Sequence, residues 1–269
     1  MSTVSEVITT LESIAPPALA EDWDNTGLLV GDRSRAVDSI MTCLTLTPDV
    51  AQEAVDTDVS LIVAHHPVMF RGRKILTDSD SEGRMLLLLM ENRIAVYSPH
   101  TSFDSAAEGV NQQLAEAFGV CSPVPLRLAE SSNGEGQSVG AGRWGCLQSP
   151  VKMDDFLATV RKAVGTSYVE YCGDPQRSVQ RVAVACGAAS EFLRDAAREH
   201  CDVFVTGEAR FHSVLEARSE GIGLILTGHY ASERPAVENL ANMIEDATGI
   251  VTRPSSVEHD PLRLFKAEQ

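Results

Sequence analysis

Leu61-Ile62-Val63-Ala64-His65-His66-Pro67 is the stretch that decides the fold. Its four consecutive apolar residues predict a short buried strand, and the proline prevents that strand from continuing. The two histidines therefore stand at the end of a strand, which is where open α/β sheets bind ligands. Because neighbouring strand residues point to opposite faces, both imidazoles can reach one site only if the backbone leaves regular pleating there. Two unrelated histidines, one packed and one solvated, are the alternative.

The apolar residues on both sides of this stretch predict strands that alternate with helices. Before the histidines, residues 2–14 and 47–57 have the spacing of amphipathic helices, and residues 37–45 have that of a strand. After the histidines, residues 82–92 predict a buried helix and residues 93–97 predict the next strand. This alternation predicts an α/β fold with parallel strands.

The strand predicted at residues 93–97 also ends in polar residues. His100 and Asp104 follow it and precede another predicted helix. Since neighbouring parallel strands end at the same edge of a sheet, we expect these side chains to lie beside the two histidines. The alternative for Asp104 is a cap of the helix that follows it.

A second α/β unit follows a less regular segment of the chain. Residues 120–142 contain two prolines and the stretch 130–136, which predicts a flexible loop and the connection between domains. Beyond this segment, predicted strands and helices alternate again. We predict two α/β domains, a metal-site domain of residues 1–122 together with 228–269, and a second domain of residues 123–227.

Two strand ends in the second half of the chain carry further candidate ligands. Glu208 and His212 are four residues apart, so they would share a face if this segment were helical. A surface acid and a partly packed histidine are the alternative. His229 and Glu233 have the same spacing at the predicted start of a helix, which would place both side chains on one side.

Three histidines and two carboxylates thus stand at strand ends: His65, His66, Asp104, His229 and Glu233. Five nitrogen and oxygen donors exceed what one tetrahedral zinc ion with an open position requires, and they suit two ions bridged by a carboxylate or water. No cysteine joins them, which disfavours a structural zinc site. We predict two divalent ions per chain, with zinc, iron and manganese as the candidates.

A cationic loop follows the first two histidines. Arg71, Arg73 and Lys74 surround a glycine and could hold a substrate phosphate or carboxylate near the site. A solvated loop without a ligand is the alternative, because short charged runs are common on protein surfaces.

Composition limits the classes of partner and the compartment. The chain has 269 residues, 43% of them hydrophobic, and a formal net charge of −16, which argues against broad binding of nucleic acids or anionic membranes. No targeting pattern opens the sequence and no apolar run approaches about 18 residues, so we predict a cytoplasmic protein. Six widely spaced cysteines are predicted to be reduced core residues: Cys43, Cys121, Cys146, Cys172, Cys186 and Cys201.

In combination, these motifs resemble the Nif-three-like dinuclear-metal hexameric family, some members of which are known as GTP cyclohydrolase I type 2. The resemblance covers nearly the whole chain. The matching segments are residues 22–28, 64–67, 100–104 with 109–111, 206–208 with His212, and 228–230 with Glu233.

The resemblance implies the ligands, the fold and the assembly. It implies the Nif-three-like fold of two α/β domains, without the inserted third domain of larger members, and a ring-like homo-hexamer whose sites face a cavity. Glu208 stands where the family often has an aspartate. The implied metal ligands are His65, His66, Asp104, His229 and Glu233, with His100 and His212 lining the site.

The leading functional prediction is a metal-dependent hydrolase, and the family resemblance makes a purine nucleotide such as GTP the candidate substrate. The alternative is a non-catalytic metal-binding or regulatory hexamer that presents a surface to a protein partner. The predicted proton carriers are His100, His212 and Glu208. The predicted substrate-binding residues are Arg71, Arg73 and Lys74.

Overall fold

Strands and helices alternate along the chain, as the apolar spacing predicts. The computed structural model of the protein describes residues 2–129 and 139–265. The predicted flexible loop at residues 130–136 lies outside the described residues. Among those residues, no helix combines the length and the apolar character needed to cross a membrane.

The first half of the chain supplies strands β1 to β6 and helices α1 to α5. They are β1 (Ser2–Thr3), α1 (Val4–Ile14), β2 (Gly27–Val30), β3 (Ala36–Val37), β4 (Ile40–Thr45), α2 (Pro48–Asp56), β5 (Leu61–His66), α3 (Ser81–Glu91), β6 (Ala95–Ser98), α4 (His100–Ser105) and α5 (Val110–Ala117).

The remaining elements begin with four successive strands and then continue with helices and strands. They are β7 (Val120–Val124), β8 (Arg127–Leu128), β9 (Gly140–Ala141), β10 (Arg143–Lys152), α6 (Met153–Ala163), β11 (Glu170–Cys172), β12 (Ser178–Ala185), α7 (Leu193–Arg198), β13 (Val203–Thr206), α8 (Phe211–Glu220), β14 (Gly223–Leu226), α9 (His229–Thr248) and β15 (Thr252–Pro254).

One main sheet has the strand order β15-β4-β5-β6-β2. Its first four strands are parallel, and β2 pairs antiparallel with β6. The expectation that the two histidine-bearing strands are parallel neighbours is confirmed, since Leu61 of β5 pairs with Ala95 of β6. Their carboxyl ends therefore meet at one edge of the sheet.

The other main sheet has the order β11-β14-β13-β12-β10-β7. Strands β12, β13 and β14 are parallel, and antiparallel strands flank them on both sides. The predicted domain boundary between residues 122 and 123 falls inside β7, which pairs with β10 and so belongs to this sheet. The division into two domains stays a prediction.

A continuous hydrophobic core connects the two sheets. Val7 of α1, Phe118, Phe156 of α6 and Leu240 of α9 all belong to one buried cluster. Phe118 and Phe156 meet edge to face, with ring centroids 6.5 Å apart, across the two halves of the chain. Each fully buried side chain of this size contributes about 1.5–3 kcal/mol to stability. This shared core packs the two sheets against each other and so fixes the strand ends that form the site.

The prediction that the six cysteines are core residues is wrong in part. All six cysteines are free thiols, and Cys43, Cys186 and Cys201 are buried. Cys121 and Cys146 are exposed because they pair across β7 and β10, and β7 is the edge strand of its sheet.

Candidate metal centre

The carboxyl ends of parallel strands from both sheets converge on one group of histidines. His65 and His66 are the last residues of β5, and His100 opens α4 directly after β6. His229 opens α9 after β14, and Gly187 follows β12 in the second sheet. This is the strand-end position at which α/β folds bind ligands.

Both histidines of the opening stretch lie within β5. The strand stays paired with β4 as far as His66, whereas its pairing with β6 ends at Val63. The expected departure from the strand before the histidines is therefore wrong, because only the β6 side of the pairing is lost. The two imidazole centroids are 5.3 Å apart, so both rings face one site.

His66 and His229 are oriented in the same way. Nδ1 of His66 is 2.8 Å from Oγ1 of Thr45, and Nδ1 of His229 is 2.7 Å from a carboxylate oxygen of Glu208. Their Nε2 atoms lie 3.0 and 3.2 Å from Oε2 of Glu233. The prediction that His229 and Glu233 share one side of a helix is confirmed, since both lie in α9.

Glu233 is a buried carboxylate in an ionised state. Burial opposes its ionisation, but hydrogen bonds with His229 and His66 outweigh that effect and lower the pKa of Glu233. The bond to Glu233 in turn raises the pKa of His229 to about 9, against the opposing effect of burial. The Nε2 atoms of His66 and His229 thus face one carboxylate oxygen, and metal binding to such a group releases the protons that its ligands carry.

His65 is a buried histidine whose ring nitrogens have no hydrogen-bond partner among the described residues. Neither Nδ1 nor Nε2 forms a hydrogen bond with any residue that the structure describes, and the side chain is fully buried. Its closest recorded polar neighbour is Oδ1 of Asp104, 3.5 Å from Nε2. Burial lowers the pKa of His65 to about 3, so the ring is neutral. An unpaired buried polar group costs about 1–3 kcal/mol, and a neutral imidazole is the form that binds metal.

Asp104 lies inside α4 and does not cap the helix that follows, so the alternative reading as a cap is wrong. Its Oδ1 accepts a hydrogen bond from Sγ of Cys186 at 3.2 Å. Asn111 supports the same region by donating from Nδ2 to the backbone oxygen of Asp104. Burial, together with the charge of Glu233, raises the pKa of Asp104 to about 7. A nearby cation would favour its ionised form.

His100 is held by a carboxylate that the sequence analysis did not assign to the site. Its Nδ1 is 2.7 Å from Oδ1 of Asp24, whose Oδ2 accepts from the backbone N–H and the hydroxyl of Thr101. The carboxylate of Asp24 is fully buried, and although burial opposes ionisation, these hydrogen bonds lower the pKa of Asp24 to about 2. A fixed anion therefore orients the ring of His100.

Two overlapping groups of side chains have donor atoms close enough to hold a metal ion. His65, His66 and His100 form one group, and His66, His229 and Glu233 form the other, with all donor atoms of a group within 4.8 Å of one another. His66 belongs to both. His100, predicted as a proton carrier, is thus also placed among the candidate donors.

A cavity of about 560 Å³ opens beside these groups. His66, His100 and Glu233 line one part of it, and the exposed rings of Trp23 and Phe70 line another. The two aromatic rings meet edge to face with centroids 5.9 Å apart. Concave sites with aromatic walls and a few converging polar groups are typical of small-molecule binding.

Glu208 and His212, the two candidate residues of segment 206–212, have different surroundings in the structure. Helix α8 begins at Phe211, after Glu208, so the expected shared helical face is wrong. Glu208 bonds His229, whereas His212 is exposed, packs beside Phe211 and does not line the cavity.

The cationic loop lies outside the cavity lining. Both terminal nitrogens of Arg73 are engaged, one 2.6 Å from Asp80 and the other 2.6 Å from Glu82, while Arg71 and Lys74 are exposed. A different cation, Arg127, lines the cavity. No spacing pattern in the sequence pointed to Arg127, since it is brought there by the pairing of β8 with β9.

The fold and the site define a class of α/β proteins with a histidine and carboxylate cluster able to bind metal at facing strand ends. The sequence model of the Duf34/NIF3 (NGG1p interacting factor 3) family matches residues 2–261, and the chain belongs to this family.

Relatives agree with this assignment over most of their length. A GTP cyclohydrolase 1 type 2 homolog of Clostridium acetobutylicum is 30% identical over 244 residues, covering 91% of this chain and 90% of the relative. The protein NIF3 homolog of Schizosaccharomyces pombe is 35% identical over 272 residues, covering 94% of each. A crystal structure of a Bacillus cereus protein related to NIF3 superposes with a TM-score of 0.89, at 21% identity, over 98% of this chain and 99% of that one. The predicted Nif-three-like α/β fold is confirmed, and no third domain is evident in residues 2–129 and 139–265.

Proposed function

We propose that this protein is a metal-dependent hydrolase that binds two divalent ions per chain. The observation that carries the proposal is His65, a neutral, fully buried imidazole with no hydrogen-bond partner in the described part of the chain. The proposed donors lie in two neighbouring sets, His65 with Asp104 3.5 Å away and the group of His66, His229 and Glu233, and this supports a pair of ions. The proposed ligands are His65, His66, Asp104, His229 and Glu233. Divalent ions supply Lewis-acid activation of water and of the bond under attack.

The side chains around the ligands have separate roles in this proposal. His100 carries the proton, because the Asp24 carboxylate on Nδ1 leaves Nε2 as the atom that accepts and returns it. Glu208 orients His229 through Nδ1, as outer carboxylates commonly do for histidine ligands. His212, exposed and outside the cavity lining, has no role here.

A purine nucleotide is the proposed substrate class. The name GTP cyclohydrolase 1 type 2 homolog, carried by several relatives, supports a guanine nucleotide. Trp23 and Phe70 support a planar ring, because aromatic walls bind such rings by stacking or edge contacts. The homo-hexamer and the cytoplasmic location stay predictions, and sedimentation of the metal-loaded protein tests the first.

Elemental analysis of protein purified without chelator tests the metal proposal. We expect about two divalent ions per chain, because the donors exceed what one ion requires. Glu233→Gln should remove most of the metal, since a neutral amide replaces the ionised carboxylate that both histidines face. Glu238→Gln, exposed on the same helix, is the matched control and should retain it.

Turnover decides between the hydrolase and the regulatory alternative. The metal-loaded protein should release product from at least one member of a panel of nucleotides, phosphoesters and cyclic amides. One ion or none per chain in metal-supplemented protein would contradict the two-ion proposal. Full metal content without turnover on any member of the panel would favour the non-catalytic metal-binding hexamer.

A further inference from the structure

The cavity beside the metal centre carries one arginine that the proposed chemistry does not use. Arg127 of β8 is the only lysine or arginine that lines this cavity among the residues that the structure describes. The chain has a formal net charge of −16, so the positive charge of Arg127 on the cavity wall is opposite in sign to the charge of the whole chain. Such a placement points to a ligand with a negatively charged group.

The guanidinium of Arg127 is fixed from two directions. Its Nε and Nη2 lie 2.8 and 2.6 Å from Oδ2 of Asp195, a side chain that is almost fully buried. Its plane lies over the ring of Phe192, with Cζ 4.0 Å from the ring centroid. Nη2 also donates to the backbone oxygen of Glu191 at 3.5 Å, and the Arg127 side chain remains 45% exposed. A guanidinium held in this way loses little conformational entropy when it binds an anion.

The neighbouring charges leave Arg127 able to bind an anion. Asp195 is shared, because its other oxygen pairs with Arg198, so one carboxylate faces two guanidinium groups. Besides Asp104 and Glu233 of the proposed metal centre, two further carboxylates, Glu21 and Glu191, line the cavity. Both are exposed, and solvent screens their charge. Arg127 therefore presents a positive charge on the cavity wall to an anionic group that enters the cavity.

We propose that Arg127 binds the phosphate of a nucleotide whose base or reacting bond faces the histidine cluster. This inference rests on the proposed function and names the residue that selects the phosphorylated substrate. It assigns to Arg127 the role that the sequence pattern suggested for Arg71, Arg73 and Lys74. Arg127 lines the cavity, whereas Arg71, Arg73 and Lys74 do not, and this supports the reassignment.

Calorimetric titration of the metal-loaded full-length protein with GMP and with guanosine tests this proposal, because the two probes differ by the phosphate. We expect the wild type to bind GMP at least about tenfold more tightly than guanosine, the usual size of a charge-assisted contact. Arg127→Gln should remove most of this ratio and leave guanosine affinity within about twofold. Arg127→Lys, which keeps the charge but not the planar fork, should retain an intermediate ratio.

Two control variants separate recognition from folding. Arg194→Gln removes an exposed arginine that pairs with Glu216 outside the cavity lining, and it should leave the GMP to guanosine ratio unchanged. The triple variant Arg71→Ala, Arg73→Ala, Lys74→Ala should do the same. A ratio that survives in Arg127→Gln, or disappears in the triple variant, would overturn the proposal. So would a wild type that binds GMP no better than guanosine. If Arg127→Gln fails to fold, an unchanged ratio in Arg127→Lys would overturn it equally.

Metal content and turnover, measured on the same samples, keep this proposal distinct from the proposed function. Suppose that the ratio of GMP to guanosine affinity depends on Arg127 but the protein shows no turnover. That result supports the phosphate site and contradicts only the hydrolase. If the protein shows turnover but its affinity ratio does not depend on Arg127, the hydrolase is supported and only the phosphate site is contradicted.

Discussion

In the candidate metal centre, three of the histidine rings are oriented by a hydrogen-bond partner on Nδ1. Thr45, Asp24 and Glu208 each engage one Nδ1, which leaves Nε2 to face the cluster. Such partners fix both the tautomer and the direction of a ring, and replacing one typically costs about 10–100-fold in metal affinity or activity. His65 has no hydrogen-bond partner on either ring nitrogen among the described residues, and Asp104 is its closest recorded polar neighbour.

Asp24→Asn tests whether this carboxylate positions His100. The amide keeps the size of the side chain but removes the charge that fixes the Nδ1 proton, so turnover should fall about 10–100-fold. Rate measurements should be paired with metal analysis, and metal content should stay within about twofold of wild type if His100 is not a ligand.

Asp22→Asn is the matched control, because Asp22 is an exposed carboxylate in the same acidic segment. Equal rates for Asp24→Asn and Asp22→Asn would remove Asp24 from the mechanism. Loss of both ions in Asp24→Asn would instead show that His100 is a metal ligand.

Secondary-structure elements explain how much of the site the sequence could predict. The apolar run of β5, the polar residues after β6 and the four-residue spacing in α9 are local signals, and each predicted residues that the structure places together. The bond between Asp24 and His100 joins residues that are 76 positions apart. Arg127 likewise reaches the cavity from β8, which is distant in sequence from the histidines. Such placements depend on which distant strands pair, as β2 pairs with β6 and β8 with β9, and local spacing does not encode this pairing.

The turn after β12 holds a glycine that sets the space available to Glu233. Gly187 has a φ of +62°, and a Cβ atom there would lie 2.3 Å from Oε1 of Glu233. Gly187→Ala should therefore displace the carboxylate and lower metal content, in addition to the strain of about 1–2 kcal/mol for a left-handed residue. Elemental analysis and thermal unfolding measure the two effects separately.

Gly165→Ala separates backbone strain from displacement of Glu233. Gly165 has a similar φ of +69°, but nothing lies within 4 Å of the position of its Cβ. This variant should lose comparable stability and keep its metal. If Gly187→Ala also keeps its full metal content, Glu233 tolerates the displacement and the geometric argument is wrong.

The whole molecule depends on contacts that join the two halves of the chain, because the candidate centre draws side chains from both. Arg143 of β10 is 1% exposed and lies at this junction. Its Nη1 donates to the backbone oxygens of Gly140 and Gly142, and its Nη2 donates to that of Ala106, which follows α4. Its Nε donates to Oε1 of Gln112 in α5.

Arg143→Met should destabilise the protein by about 3 kcal/mol or more, since it leaves several buried acceptors unpaired at about 1–3 kcal/mol each. Urea unfolding of chelator-treated protein measures this, because bound metal would add its own stabilisation. Arg161→Met, an exposed arginine on α6, should change stability by no more than about 0.5 kcal/mol. The Ala106 oxygen lies two residues beyond Asp104, so Arg143→Met should also weaken metal binding. An Arg143→Met protein as stable as the Arg161→Met control would mean that Arg143 does not hold the halves together.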